Sequence, residues 1–267
     1  MARIAAATLI ATVISPAYAD GLYIDAALGF ETTSTFRGVK SDKPKPAPYG
    51  YVEVTAGEFY GGVFSNPAFI QDEWNALAVL YAVWAPAAAG LDFDIGGRYY
   101  AFPGSSDFEY DFEDDGVIDH AGRKGLFEAL IGAEKNFDTG RVSGRVFYTP
   151  DGFAETGPAW YFHGEARIDI VAGFEARAGA GYNHFAKTLY NDNYIDYNVG
   201  IYKTAFGFDM FVRYSDTDGF YGTDNSAVVF GLEKMWSLRS PDADARRRYR
   251  KILNDWVVDK SLFAISR

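Results

Sequence analysis

Residues 91–102 read LDFDIGGRYYAF, and their alternation decides the fold class. Leu91, Phe93, Ile95, Gly97, Tyr99 and Ala101 form one alternate set. Asp92, Asp94, Gly96, Arg98, Tyr100 and Phe102 form the other. A period of two is that of a β-strand, whose successive side chains point to opposite faces. One face is mainly apolar and the other carries two carboxylates and a guanidinium. In a soluble sheet the apolar face meets a core. In a membrane barrel it meets lipid, and the charged face lines a lumen.

The alternation recurs along the chain. Leu22, Ile24, Ala26, Leu28 and Phe30 alternate with Tyr23, Asp25 and Glu31. Trp160, Phe162, Ala166 and Ile168 alternate with His163, Glu165 and Arg167. Phe174, Ala176, Ala178 and Ala180 alternate with Glu175 and Arg177, and Phe206, Phe208, Met210 and Val212 with Asp209 and Arg213. Weaker versions complete a set of about twelve strands, each near the ~9–11 residues of a tilted membrane strand.

Connection lengths separate lipid from a soluble core. Counting strands from Gly21, the even connections are short: Gly57, residues 85–90, Asp138-Thr139-Gly140, Ala172-Gly173 and residues 205–207. The odd ones, at 34–48, 66–72, 103–124, 150–157, 184–192 and 216–224, are mostly longer. Short turns at one end and long loops at the other are the pattern of an outer-membrane barrel. The expectation is an all-β chain, a transmembrane antiparallel up-and-down β-barrel.

The chain ends frame this barrel. Residues 1–19, MARIAAATLIATVISPAYA, give a charged start, a short apolar stretch and a small-x-small site. They read as a cleaved signal peptide that exports residues 20–238 to the bacterial outer membrane. The apolar stretch is too short to span ~30 Å of hydrocarbon as a helix. Aromatics make up 17% of the chain, enough to furnish girdles at two membrane interfaces. The sequence contains no cysteine, so no disulfide supports the fold. Its net charge of −11 excludes nucleic-acid binding through a basic face.

Several short stretches also carry a resemblance. They are Thr35-Phe36-Arg37-Gly38-Val39, Tyr99-Tyr100-Ala101-Phe102-Pro103-Gly104, Tyr194-Ile195-Asp196-Tyr197-Asn198-Val199-Gly200 and Tyr214-Ser215-Asp216-Thr217-Asp218. In this order the chain resembles the TorF family of proteobacterial porins, from about Leu22 to Trp236. The resemblance implies an outer-membrane pore and brings no catalytic residues. Such barrels usually end with their last strand, whereas this chain continues beyond Leu238.

Charges on the predicted inner face are the functional candidates. The pore-lining set is Arg98, Arg145, Arg167, Arg177 and Arg213 with Glu53, Asp94, Glu128 and Glu165; Arg141, Asp196 and Asp209 share that face. Strands seven to nine are neighbours, so Arg145, Arg167 and Arg177 are expected to form a basic ladder. Opposed charges at a constriction would select permeants. The competing reading pairs them into a salt-bridged plug.

Residues 111–122, DFEDDGVIDHAG, partly match a calcium loop. Asp111, Glu113, Asp115 and Asp119 fall at ligand positions, but the terminal Glu is replaced by Gly122. A solvated acidic loop is the simpler reading, with a Ca²⁺ site as the alternative. Of the histidines, His163 is placed on the lumen face and His120 and His184 in loops. No serine motif accompanies them, and an enzyme is not expected.

Residues 239–267 break the period of two. Ser240 and Pro241 suit a helix start, and Tyr249, Ile252, Leu253, Trp256 and Val257 recur at helical spacing. Arg246, Arg247, Arg248, Arg250 and Lys251 lie beside them. A short periplasmic amphipathic helix is expected, docking on anionic lipid or on the barrel mouth, or covering apolar surface without a partner. The expected function is a weakly selective passive channel for small hydrophilic solutes or ions. A structural or surface-interaction barrel with a plugged lumen is the alternative.

Overall fold

The computed structural model describes residues 22–40, 46–70, 73–103, 108–110, 120–122, 125–152, 157–186, 193–219 and 225–239. The signal sequence, Asp111, Glu113, Asp115, Asp119 and the tail with Arg246, Arg247, Arg248, Arg250, Lys251 and Trp256 lie outside the described residues.

Twelve long strands dominate the described residues. They begin with β1 (Leu22–Glu31), β2 (Ala47–Ala56), β3 (Phe59–Ile70), β4 (Glu73–Trp84), β5 (Leu91–Ala101) and β6 (Gly125–Phe137). They continue with β7 (Gly140–Thr149), β8 (Ala159–Asp169), β9 (Phe174–Phe185), β10 (Tyr194–Ala205), β11 (Phe208–Asp218) and β12 (Ala227–Arg239). Each pairs antiparallel with its neighbours in sequence, and β12 pairs with β1. The sheet closes on itself, which removes the unpaired edges an open sheet would present.

The stretch that opened the sequence reading is β5. Its burial follows the alternation: Asp94, Arg98 and Tyr100 are buried, while Ile95 and Tyr99 are exposed. Large apolar side chains are exposed around the whole ring, among them Leu28, Val52, Leu80, Ile95, Ile131, Phe162, Val199, Val212 and Phe230. Apolar groups outside and charges inside are the inverse of a soluble protein and fit a lipid surround.

Aromatic groups flank that belt at both ends. Phe59, Trp84, Phe137, Phe174, Phe208 and Trp236 lie near the end bearing the short turns. Tyr99, Trp160, Tyr182, Tyr197 and Tyr214 lie near the opposite, loop-bearing end. Such rings suit the water–hydrocarbon boundary because one edge is apolar and the other is wet.

Turn chemistry explains the sharp end. Ala89-Gly90, Ala172-Gly173 and Phe206-Gly207 each place two successive residues at positive φ. A type I′ turn requires this, and its twist matches that of the flanking strands. The expected loop at 66–72 is largely ladder, because β3 and β4 stay paired out to Ile70 and Glu73. His184 also falls within β9, facing outward, and not in a loop. His120 belongs to a small ladder, Phe108–Tyr110 with His120–Gly122, inside the β5–β6 connection.

Candidate functional site: the lumen and its inward hairpin

The strands carry the predicted charges inward. Glu53, Asp94, Arg98, Glu128, Arg141, Arg145, Arg167 and Asp196 are all buried within the ring. Glu165, Arg177, Asp209 and Arg213 occupy inner-face positions that solvent partly reaches. Alternation alone assigned these faces. It did not assign their neighbours.

Register settles those neighbours and corrects the basic ladder. Arg141 lies opposite Arg167, and Arg167 opposite Arg177. Arg145 instead lies opposite His163. The ladder is therefore Arg141, Arg167 and Arg177, with Arg145 four residues along β7. The register of the β7–β8 pair fixes this offset, which no single-strand pattern contains.

Like charges side by side need countercharges. The Arg167 Nε donates to Glu165 Oε1, and the Arg177 Nε donates to Glu175 Oε1. Arg141 Nη1 lies 3.6 Å from Glu134 Oε1, and Arg145 Nη2 lies 3.9 Å from Asp94 Oδ2. Arg177 also sits over the Tyr202 ring, 3.7 Å from its centroid. A guanidinium on an aromatic face gains a cation–π contribution as well as its ion pair.

The wall from β2 to β5 is built differently. Tyr49, Tyr51, Tyr60, Phe64, Leu77, Val79, Tyr81, Val83 and Tyr100 form a buried cluster that continues onto β6–β8. Their hydroxyls cap the carboxylates beside them. Tyr81 donates to Glu53 Oε2 at 2.8 Å, Tyr60 to Asp94 Oδ1 at 3.0 Å and Tyr49 to Glu233 Oε2 at 2.9 Å. This side of the lumen is packed with side chains.

At the loop-bearing end, a second element enters the lumen. The β1–β2 connection contains a two-residue hairpin, Thr35–Phe36 paired with Val39–Lys40. Arg37 and Gly38 turn it with φ of 47° and 79°, the same pair of positive values used in the short turns. Thr33, Ser34, Thr35 and Arg37 are buried, so this loop does not stand out in solvent. Thr32 N donates to Phe230 O at 3.0 Å, Lys40 Nζ to Ser226 O at 3.1 Å and Arg213 Nη2 to Thr35 Oγ1 at 3.0 Å.

From those anchors on β11 and the start of β12 the hairpin reaches across to β6. Arg37 Nη2 donates to Glu128 Oε2. The other oxygen of Glu128 accepts from Arg98 Nε at 2.6 Å. Arg37 lies over Tyr161, 4.1 Å from the ring centroid, and Arg98 over Phe147 at 4.6 Å. Glu128 is 2% exposed and Arg98 4%. An ion triad this dry is held by mutual pairing, because an isolated charge there would be costly. Arg37 is the inward-facing charge that alternation missed. Its signal was the arginine–glycine pair between two β-prone dipeptides, the sequence form of a tight hairpin.

Gly38 explains how closely the hairpin seats. A Cβ added there would lie 2.5 Å from Thr217 Cγ2 and 2.7 Å from both Asp196 Cβ and the Asp216 carbonyl oxygen. Only glycine meets both the backbone angle and the contact. Asp196 beneath it accepts from Tyr161 Oη at 3.1 Å and from Asn183 Nδ2 at 3.1 Å.

The described residues hold no cluster of three or more His, Cys, Asp or Glu able to bind a metal ion. In shape, the chain is similar to the solved KdgM porin, with a TM-score of 0.52 and 8% identity. That match covers 80% of this chain and 99% of the porin. A second structure, KdgM porin in complex with disordered oligogalacturonate, matches with a TM-score of 0.50 and 9% identity. It covers 81% of this chain and 99% of that one. These likenesses show the fold. A search of curated proteins gave no match. A family match spans residues 17–238, nearly the whole barrel, and the chain belongs to that family, described as a bacterial protein of unknown function (Gcw_chp).

Proposed function

We propose that the barrel is an outer-membrane passive channel for small hydrophilic solutes or ions, as its TorF-like motifs also imply. One observation carries this reading: the inner face of β8–β11 is polar and partly wet. Side-chain exposure reaches 25% at Glu175, with 12% for Arg177 and 11% for Glu165, against 3% for Arg98 and for Glu128; Asp94 on β5, at 12%, is the exception on the packed side, and Arg167, at 2%, on this one. His163, Asn198, Tyr202, Asp209 and Arg213 are partly exposed as well. They form a polar column from the turn-bearing end to mid-barrel. Polar walls open to solvent are what a permeating ion requires.

Selectivity should be weak, because Arg177 and Arg213 face Glu165, Glu175 and Asp209 within the same column. The net charge of −11 favours cations at low salt, and the lean should fade as salt shortens the Debye length, ~8 Å at physiological strength. Planar-bilayer recording of the refolded protein tests this. Stepwise conductance with a cation-leaning reversal potential is the expected result, and silence in every salt rejects the channel.

The second reading is a non-conducting structural or surface-interaction barrel. The packed wall of β2–β5 and the dry triad at Glu128 favour it. Under either reading, residues 1–19 act as the export signal, the acidic loop is a solvated segment, with a Ca²⁺ site the less favoured alternative, and the tail lies on the periplasmic side.

A further inference from the structure

The polar column stops where the hairpin begins. Along β8, β9 and β10 the partly exposed His163, Arg177 and Asn198 give way, toward the loop-bearing end, to the buried Tyr161, Asn183, Asp196 and Tyr194. Gly38 seats directly on Asp196, and Arg37 lies over Tyr161. Phe36 packs against the aromatic cluster that fills the opposite wall. The hairpin therefore bridges the two walls at one level of the lumen.

We propose that the Thr35–Lys40 hairpin is the constriction of this channel and that Arg37 is its selectivity-determining residue. The proposal rests on the channel reading above. Two features make the hairpin suited to the role. It is tethered at its base by Thr32, Thr35 and Lys40, and at its tip by the ion pair of Arg37 with Glu128. Its tip is also charge-balanced: Arg37 and Arg98 face Glu128 and Asp196. Fixed charges act most strongly where the passage is narrowest and least screened. Removing the Arg37 guanidinium leaves the two carboxylates against Arg98, so the constriction becomes anionic and also loses its fastening to β6.

Three proteins test this in planar bilayers under a KCl gradient: wild type, Arg37→Ala, and a variant with residues 34–44 replaced by Gly-Gly. Heat-modifiable gel mobility first establishes that each barrel is folded. The expected result is a severalfold rise in unit conductance for the hairpin replacement and a smaller rise for Arg37→Ala. Arg37→Ala should also move the reversal potential toward the cation limit, and Arg37→Lys should restore it toward wild type. If all folded variants conduct as wild type does, with unchanged reversal potential, the constriction is overturned while the channel stands. If none conducts, the hairpin-replaced barrel included, the channel and the constriction fall together.

Discussion

The two walls of the lumen come from strands of similar length and the same alternation, yet they are filled in different ways. Inner positions of β2–β5 carry Tyr49, Tyr51, Tyr60, Phe64, Leu77 and Tyr81, which touch one another and bury Glu53 and Asp94 beneath phenolic hydroxyls. Inner positions of β9–β10 carry Gly179, Gly181 and Gly200 between Arg177, Asn183, Asp196 and Asn198. Tyrosine rings close the first wall, whereas on the second the partly exposed Glu165, Glu175 and Arg177 face the lumen nearer the turn-bearing end. A single barrel can thus hold one side closed by packed rings and another whose charged side chains are partly exposed.

The contrast can be broken by substitution. The largest effect is expected where the hairpin meets the packed side. Glu128→Gln leaves Arg37 and Arg98 buried against an uncharged amide, and loss of one member of such a buried set costs about 3–5 kcal/mol. Denaturant titration in liposomes should show it, and a loss under about 1 kcal/mol would mean the triad is wet.

Packing comes next. Phe64→Ala on the packed wall should cost about 3 kcal/mol or somewhat more by opening a cavity. Phe211→Ala on the other wall, where solvent already reaches the ring, should cost clearly less in the same titration. Equal losses would erase the distinction between the walls.

The outer surface provides a control on register. Ile95→Arg or Phe162→Arg should cost ~2–4 kcal/mol near the bilayer midplane. Exchanging the inward Glu175 for Gln should cost under about 1 kcal/mol, since a quarter of its side chain is exposed. Equal sensitivity of both faces would overturn the assignment of inside and outside.

The smallest effect is electrical. Arg177→Gln should deepen cation preference modestly at low salt, with the shift disappearing at high ionic strength. Reversal potentials at two salt concentrations check this. A shift that persists at high salt would place Arg177 in a narrower passage than the partly exposed side offers.

What the sequence made legible follows from locality. Faces were readable because residue i and residue i+2 share one, and this sufficed to place Arg98, Glu128, Arg167 and Arg213 inside. Turn ends were readable because Ala172-Gly173 and Phe206-Gly207 announce tight reversals. The identity of the ladder was not readable, because Arg141 and Arg167 meet only through the register of a whole strand pair. The hairpin's destination was still less so. Arg37 and Glu128 are 91 residues apart, and nothing within the β1–β2 connection states whether it folds outward or inward. The loop at 66–72 was overestimated, because the pairing of β3 with β4 continues through Pro67, opposite Ala76.

The seam between β12 and β1 has a temporal meaning. Phe30 pairs with Leu232, so the first strand made must wait for the last before either is satisfied on both sides. Every other pairing of the ring joins strands adjacent in order, and can form as the chain is delivered. Until the seam zips, two strand borders stand unpaired, each a template for a neighbouring polypeptide. Closure is therefore the event of highest contact order in this molecule, and the interval before it is when the chain most needs shelter.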